Sequence, residues 1–146
     1  MHFCLVDRVL EQTPERIVTI KQVSAAEEYL QDHFPGFPVL PGVLMIEALV
    51  QAARRLVEDS SDERLVLGAV RALKYGTFVR PGQVLRAEVT LGKRHEDGTI
   101  EFRGEGRVLT PAGGESAGGG AADPPVAVSG RFTLRPIRLG RSGATG

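Results

Sequence analysis

The sequence predicts an α+β domain in which a curved antiparallel sheet wraps around one long helix. Three observations carry that prediction. Residues 43–59 form one long helical stretch that is apolar on nearly every face of its first three turns. The second half of the chain alternates apolar and polar residues between turn signals, the pattern of a sheet with one buried face. At 146 residues there is room for one core and not for two, so helix and sheet must cover each other.

In chain order, residues 3–10 and 15–23 read as strands, the second rich in β-branched side chains, with Glu11–Glu15 as the connection. Ser24-Ala25-Ala26-Glu27 resembles a capping box and predicts a short helix to about Gln31. From His33 to Gly42 three prolines forbid a regular helix, yet Phe34, Phe37, Val39 and Leu40 make this loop unusually apolar, which predicts that it packs against something. The long helix over 43–59 is then expected to be the buried centre of the domain. Its only polar residues before Arg54 are Glu47 and Gln51, spaced i, i+4 on one face.

After the polar turn 60–63, residues 65–73 and 74–79 read as strands, followed by a Pro81-Gly82 turn. Residues 84–91, 99–109 and 126–134 alternate cleanly, and Asp97-Gly98 is a hairpin signal between the first two of these. Together they predict an antiparallel meander in a sheet of five to seven strands. Residues 110–125 form a glycine-rich connection that matches no phosphate-loop spacing. The single domain is expected to span 1–140, with 141–146 as a frayed tail.

Composition narrows the function. Apolar residues make up 42% and charged residues 25% of the chain, ordinary for a water-soluble domain. No apolar run reaches the roughly 20 residues of a membrane helix. Eighteen basic and eighteen acidic residues balance to zero, which argues against a nucleic-acid binder. The balance is uneven along the chain, with eleven acids and five bases in 1–63 against seven acids and thirteen bases in 64–146. Cys4 is the single cysteine, so no internal disulfide forms. With no basic, apolar leader at the start, this points to the cytoplasm.

A few residues carry chemistry. Glu47 is a carboxyl on an apolar helix. If buried, desolvation raises its pKa and suits it to general-acid work. If paired with an arginine or turned outward, it is structural, and both readings stand here. His33 opens the proline-rich loop and is a candidate general base. Gly42 sits at the helix start, where free backbone N–H groups and the helix dipole suit a developing oxyanion. His2 and His95 lack acids or cysteines at ligand spacing, so no metal site is expected. No serine nucleophile is in evidence, and Cys4 reads as an inert buried thiol.

A base, an oxyanion donor and a neutral acid suit removal of a proton beside a thioester carbonyl and departure of a β-hydroxyl. The run His33-Phe34-Pro35-Gly36-Phe37-Pro38-Val39-Leu40-Pro41-Gly42-Val43-Leu44-Met45-Ile46-Glu47-Ala48-Leu49-Val50-Gln51-Ala52-Ala53 resembles the signature of the (3R)-3-hydroxyacyl-[acyl-carrier-protein] dehydratases of the FabZ type. Leu5-Val6-Asp7-Arg8-Val9 resembles the family's N-terminal strand motif. The resemblance implies a hotdog fold, dehydration to the trans-2-enoyl thioester in acyl-chain biosynthesis, and no cofactor.

By matching position it implies His33 as base, Gly42 as backbone donor, Glu47 as acid and Gln51 as its support, with Phe34, Phe37 and Val43 lining the acyl site. It also implies a homodimer in which the histidine and glutamate of one site come from different subunits, and dimers that assemble into hexamers. Arg71, Lys74, Arg80 and Arg138 are then candidate contacts for an acidic acyl carrier protein. The chain departs from the family in several places. The Pro-His-Arg element that precedes the N-terminal motif is missing, Arg71 stands where an acid is usual, Phe78 where proline is, and Gln83 where aspartate is. Two other functions remain open, a hotdog acyl-thioester hydrolase and a non-catalytic partner subunit.

Overall fold

A computed structural model describes residues 3–111 and 123–138. Most of the predicted glycine-rich connection and all of the predicted 141–146 tail lie outside the described residues.

Among the described residues, six strands and one long helix make up the fold. The strands are β1 (Arg8–Gln12), β2 (Arg16–Gln22), β3 (Leu65–Tyr75), β4 (Val84–Arg94), β5 (Ile100–Leu109) and β6 (Val126–Pro136), and the helix is α1 (Gly42–Val57). They form one antiparallel sheet in the order β1-β2-β4-β5-β6-β3. The expected meander holds for β4, β5 and β6, but β3 leaves it. β3 crosses to the far edge and pairs with β6, while β2 pairs with β4.

The alternation expected for β4 and β5 is what buries one face. Leu85, Ala87 and Val89 point inward from β4, and Ile100, Phe102 and Val108 from β5. Facing them are Ala48, Leu49, Ala52, Ala53 and Leu56 of α1. Phe102 and Phe132 stack at 5.5 Å in the same layer. Gly104 and Gly106 fall on this inward face. A Cβ on Gly104 would lie 2.9 Å from Leu49 Cδ1, so the missing side chain lets the helix settle into the sheet.

Several expectations need correcting. The capping box at Ser24 gives only a 3₁₀ turn at Glu28–Leu30, because Ser24 Oγ instead accepts from Ala26 N at 3.1 Å and closes a local turn. α1 begins at Gly42 and passes into a 3₁₀ turn at Glu58–Ser60. It is not buried all round. Val43 is 70% exposed and Leu44 and Ile46 are half-buried, since in this chain the sheet covers one side of the helix only. Residues 65–75 form one strand, and 76–79 form none.

The contact between Gly104 and Leu49 predicts a non-additive pair. Gly104→Ala alone is expected to destabilise the fold by about 1–3 kcal/mol through overpacking, and Leu49→Ala by about 2–5 kcal/mol through the cavity it leaves. The double variant should be more stable than the sum of the two losses implies. Urea unfolding of the four proteins checks this.

Candidate active site

The chain enters α1 along a fixed path. Leu40 N donates to Val79 O at 2.8 Å, and Val39 N donates to His33 O at 2.9 Å. Val39 and Leu40 are buried, so two of the loop's four apolar side chains pack as expected. Phe34 and Phe37 do not, at 54% and 37% exposure. Phe34 stacks on His33 at 4.4 Å, and Phe37 meets Phe78 edge-on at 5.7 Å with the Arg80 guanidinium 4.3 Å above its ring.

His33 is held by its Nδ1, 3.0 Å from Val39 O. A carbonyl only accepts, so this bond places a proton on Nδ1, and the neutral form of the ring then carries its lone pair on Nε2. Pro41 caps α1. Leu44 N and Met45 N both donate to Pro41 O, so the N–H groups of Gly42 and Val43 are the unpaired donors of the first turn among the described residues. These lie at the positive end of the helix dipole.

Glu47 answers the question its sequence position left open. Its side chain is 37% exposed, and its Oε1 lies 3.1 Å from Gln51 Nε2 and 3.7 Å from Arg54 Nη1. In the single chain it is therefore paired and turned outward, not desolvated. Gln51 does more than support it. Its Oε1 accepts from Leu5 N at 2.8 Å and its Nε2 donates to Phe3 O at 3.0 Å, fastening the N-terminal segment to the helix. Arg54 Nε donates to Leu65 O at 3.0 Å, so it links Glu47 to β3. Arg54 was not singled out from the sequence, although Glu47, Gln51 and Arg54 form an i, i+4, i+7 polar stripe that marks one helix face.

Tyr75 is the second residue the sequence did not reveal. Its ring and hydroxyl lie 2.7–2.9 Å from where a Cβ on Gly42 would stand, so the tyrosine occupies the space glycine leaves. Burial pushes its phenol above the ordinary tyrosine range. The remaining expectations are mixed. Val43 is exposed beside the site, and Arg71, Lys74, Arg80 and Arg138 are all exposed. Cys4 is exposed rather than buried, because the segment before Val6 runs over the helix surface instead of into the sheet. His95 lies on the surface, where its Nε2 meets Glu101 at 2.9 Å. His2 lies outside the described residues. Among the described residues, no group of three or more His, Cys, Asp or Glu side chains gathers in a way that could hold a metal ion, and no helix is long and apolar enough to cross a membrane.

The structure thus brings Gly42 and Tyr75 together, and Glu47, Gln51 and Arg54 together. His33 and Glu47 share no hydrogen bond or ion pair in the chain. The clamp at Gln51 predicts a local effect. Gln51→Leu leaves the buried Leu5 N–H without an acceptor, which costs about 1–3 kcal/mol. Amide hydrogen exchange should accelerate at Leu5 before it does in β4 or β5.

Residues 9–111 match the ApeI-like family, described as ApeI dehydratase. The chain is 42% identical to 3-hydroxyacyl-[acyl-carrier-protein] dehydratase FabZ of Ruminiclostridium cellulolyticum, over 61% of this chain and 66% of that protein. It is 45% identical to the FabZ of Lactiplantibacillus plantarum (65% and 68%) and 40% identical to that of Oenococcus oeni (77% and 81%). The match therefore spans about two thirds of the first two of these relatives. Among solved structures, the ApeI:P dehydratase heterocomplex of Xenorhabdus doucetiae aligns with a TM-score of 0.61 at 16% identity, over 89% of this chain and 96% of that one. An acyl-CoA hydrolase of Agrobacterium tumefaciens aligns at 0.63 and 12%, over 87% and 44%. These two likenesses establish the hotdog fold alone. By the match over residues 9–111 and by its FabZ relatives, the chain belongs to the FabZ-related, ApeI-like dehydratase family.

Proposed function

We propose that this protein removes water from a (3R)-3-hydroxyacyl thioester carried by an acyl carrier protein, giving the trans-2-enoyl thioester. The observation that carries the reading is His33, whose Nδ1–H···O bond to Val39 leaves Nε2 free to act as a base. It stands at the family's spacing from Gly42 and Glu47.

In this reading His33 Nε2 takes the proton from C2 of the acyl chain. Negative charge moves to the thioester carbonyl oxygen, where the Gly42 N–H and the helix dipole oppose it. The C3 hydroxyl leaves as water with a proton from Glu47. Proton transfer from the imidazolium back to the carboxylate, directly or through solvent, resets the site. The reaction is redox-neutral, so its balance calls for no cofactor. Phe34, Phe37 and Val43 supply apolar surface for the acyl chain, and Gln51 holds Glu47 from behind.

The working unit is a homodimer, with a trimer of dimers as its larger assembly. In this reading, as the family resemblance implies, a complete site takes His33 from one copy and Glu47 from another; the pairing of Glu47 with Arg54 rather than with His33 within one chain supports it. Support comes from the β3 edge, which among the described residues pairs on one side only and exposes Leu67 and Val70. A second copy would also cover Val43 and withdraw Glu47 from water. The basic residues Arg71, Lys74, Arg80 and Arg138 then face an acidic carrier protein, and the reaction takes place in the cytoplasm.

The test is purified protein with a 3-hydroxyacyl carrier-protein thioester, following enoyl formation by absorbance and free thiol with a thiol reagent. Dehydration predicts enoyl product without thiol. His33→Ala and Glu47→Gln are each expected to lower turnover by roughly 10²–10⁴-fold, the range for loss of a general base or acid. Thiol release without enoyl product would make the protein a hydrolase instead, and no turnover by a dimeric protein would make it a binding subunit.

A further inference from the structure

β3 changes phase in its last third. Arg71 lies opposite Arg131, and Lys74 lies opposite Ser129, so three steps on β3 match two on β6. The extra residue is Ala72, which sits at φ 50, a left-handed conformation uncommon outside glycine. A one-residue insertion exchanges the two faces of everything that follows. Arg71 shares the outward face with Arg131, and without the bulge Tyr75 would share it too. With the bulge, Tyr75 falls opposite Val128, which is fully buried on the inward face.

The consequence is specific. The bulge delivers the Tyr75 ring to the start of α1, with its hydroxyl 2.9 Å from the place a Gly42 Cβ would take. Burial alone perturbs this phenol, with no hydrogen-bond partner contributing among the described residues. The side chain is 51% exposed. An unengaged donor thus opens toward solvent beside the unpaired amide of the helix end. A bulge held in an unfavourable backbone conformation that re-aims one side chain onto a site is a functional device more often than an accident.

We propose that the Tyr75 hydroxyl donates a hydrogen bond to the thioester carbonyl oxygen, beside the Gly42 N–H, so that two donors share the charge that develops there. The assignment rests on the dehydratase reading above. The phenol stays protonated throughout. The proton that leaves C2 goes to His33, and the one that leaves with the hydroxyl comes from Glu47. Tyr75 only strengthens its hydrogen bond as the carbonyl gains enolate character, so it lowers the barrier without entering the proton balance.

Tyr75→Phe keeps the ring against Gly42 and removes only the donor, which makes it the test. Its kcat on a 3-hydroxyacyl carrier-protein thioester is expected to fall by roughly 100-fold, the range for one oxyanion donor. KM and the thermal midpoint should stay at the parent values. Tyr75→Ala, which also removes the ring, should lose the same kcat and in addition lower the midpoint. A Tyr75→Phe protein with parental kcat overturns the assignment. So does a raised KM at unchanged kcat, which marks a contact equal in ground and transition states. The product tests the underlying reading separately. Enoyl thioester from the parent supports dehydration. Free thiol replaces dehydration with hydrolysis while the Tyr75→Phe ratio still reports on the carbonyl donor. A parent that turns over neither way overturns both.

Discussion

A single 16-residue helix has to cover the apolar face of a six-stranded sheet, and the geometry of the site follows from that constraint. The helix can do so only by lying close against the strands, which Gly104 permits by yielding its Cβ position to Leu49. Once the middle of α1 is seated, its ends have no freedom. The N-terminus is carried to the rim beside Tyr75 by the turn through Val39, Leu40 and Pro41, and Leu40 is tied to Val79. The same placement that completes the core therefore presents the unpaired amides of Gly42 and Val43 at an accessible edge. Core packing and the placement of the unpaired amides at the helix end are here one arrangement, so a change at Leu49 or Gly104 reaches that end without touching it.

β3 serves two purposes with opposite demands. Its middle turns Arg71 outward in line with Arg131 and, beyond it, Arg103. Its end turns Tyr75 inward. A regular strand cannot place residues 71 and 75 on different faces, because its side chains repeat every two residues. The bulge at Ala72 reconciles the two at the cost of one left-handed non-glycine residue. Gly68 marks a second register shift, between Leu67 and Ala69. Two irregularities in one eleven-residue edge strand leave short runs of regular edge, which also limits indiscriminate pairing with other strands.

How far all this was legible in the sequence depends on the range of the signal. The sheet face was readable because alternation is local, and Leu85 to Val89 or Ile100 to Val108 declare it residue by residue. α1 was readable for the same reason, as was the spacing of His33, Gly42 and Glu47. Four things were not. The 3₁₀ turn at Glu28 failed the helix prediction because a capping pattern states how a helix starts and not whether the following residues have a face to bury. The position of β3 at the far edge is set by pairing with β6, some sixty residues away, which no local period encodes. Tyr75 was hidden by the bulge, since counting by twos from Arg71 puts it on the wrong side. The apolar character of α1 suggested burial all round, and only the sheet's one-sided cover showed that Val43 and Glu47 face outward.

The outward face of α1 is nonetheless ordered, and Gln51 is the reason. A primary amide has one acceptor oxygen and two N–H donors. Here the oxygen takes Leu5 N, and the nitrogen serves Phe3 O and Glu47 Oε1. Leu5 N can only donate and Phe3 O can only accept, so the amide cannot be turned over without breaking both bonds. Glutamate at this position would supply no donor, and leucine would supply nothing. The orientation fixed by the N-terminal segment thus aims an amide N–H, and not the amide oxygen, at the Glu47 carboxylate. Oε1 is held by Gln51 and approached by Arg54, so both side-chain contacts fall on one oxygen of the carboxyl. A carboxyl tethered by one oxygen has its orientation set by the chain itself, before any ligand arrives.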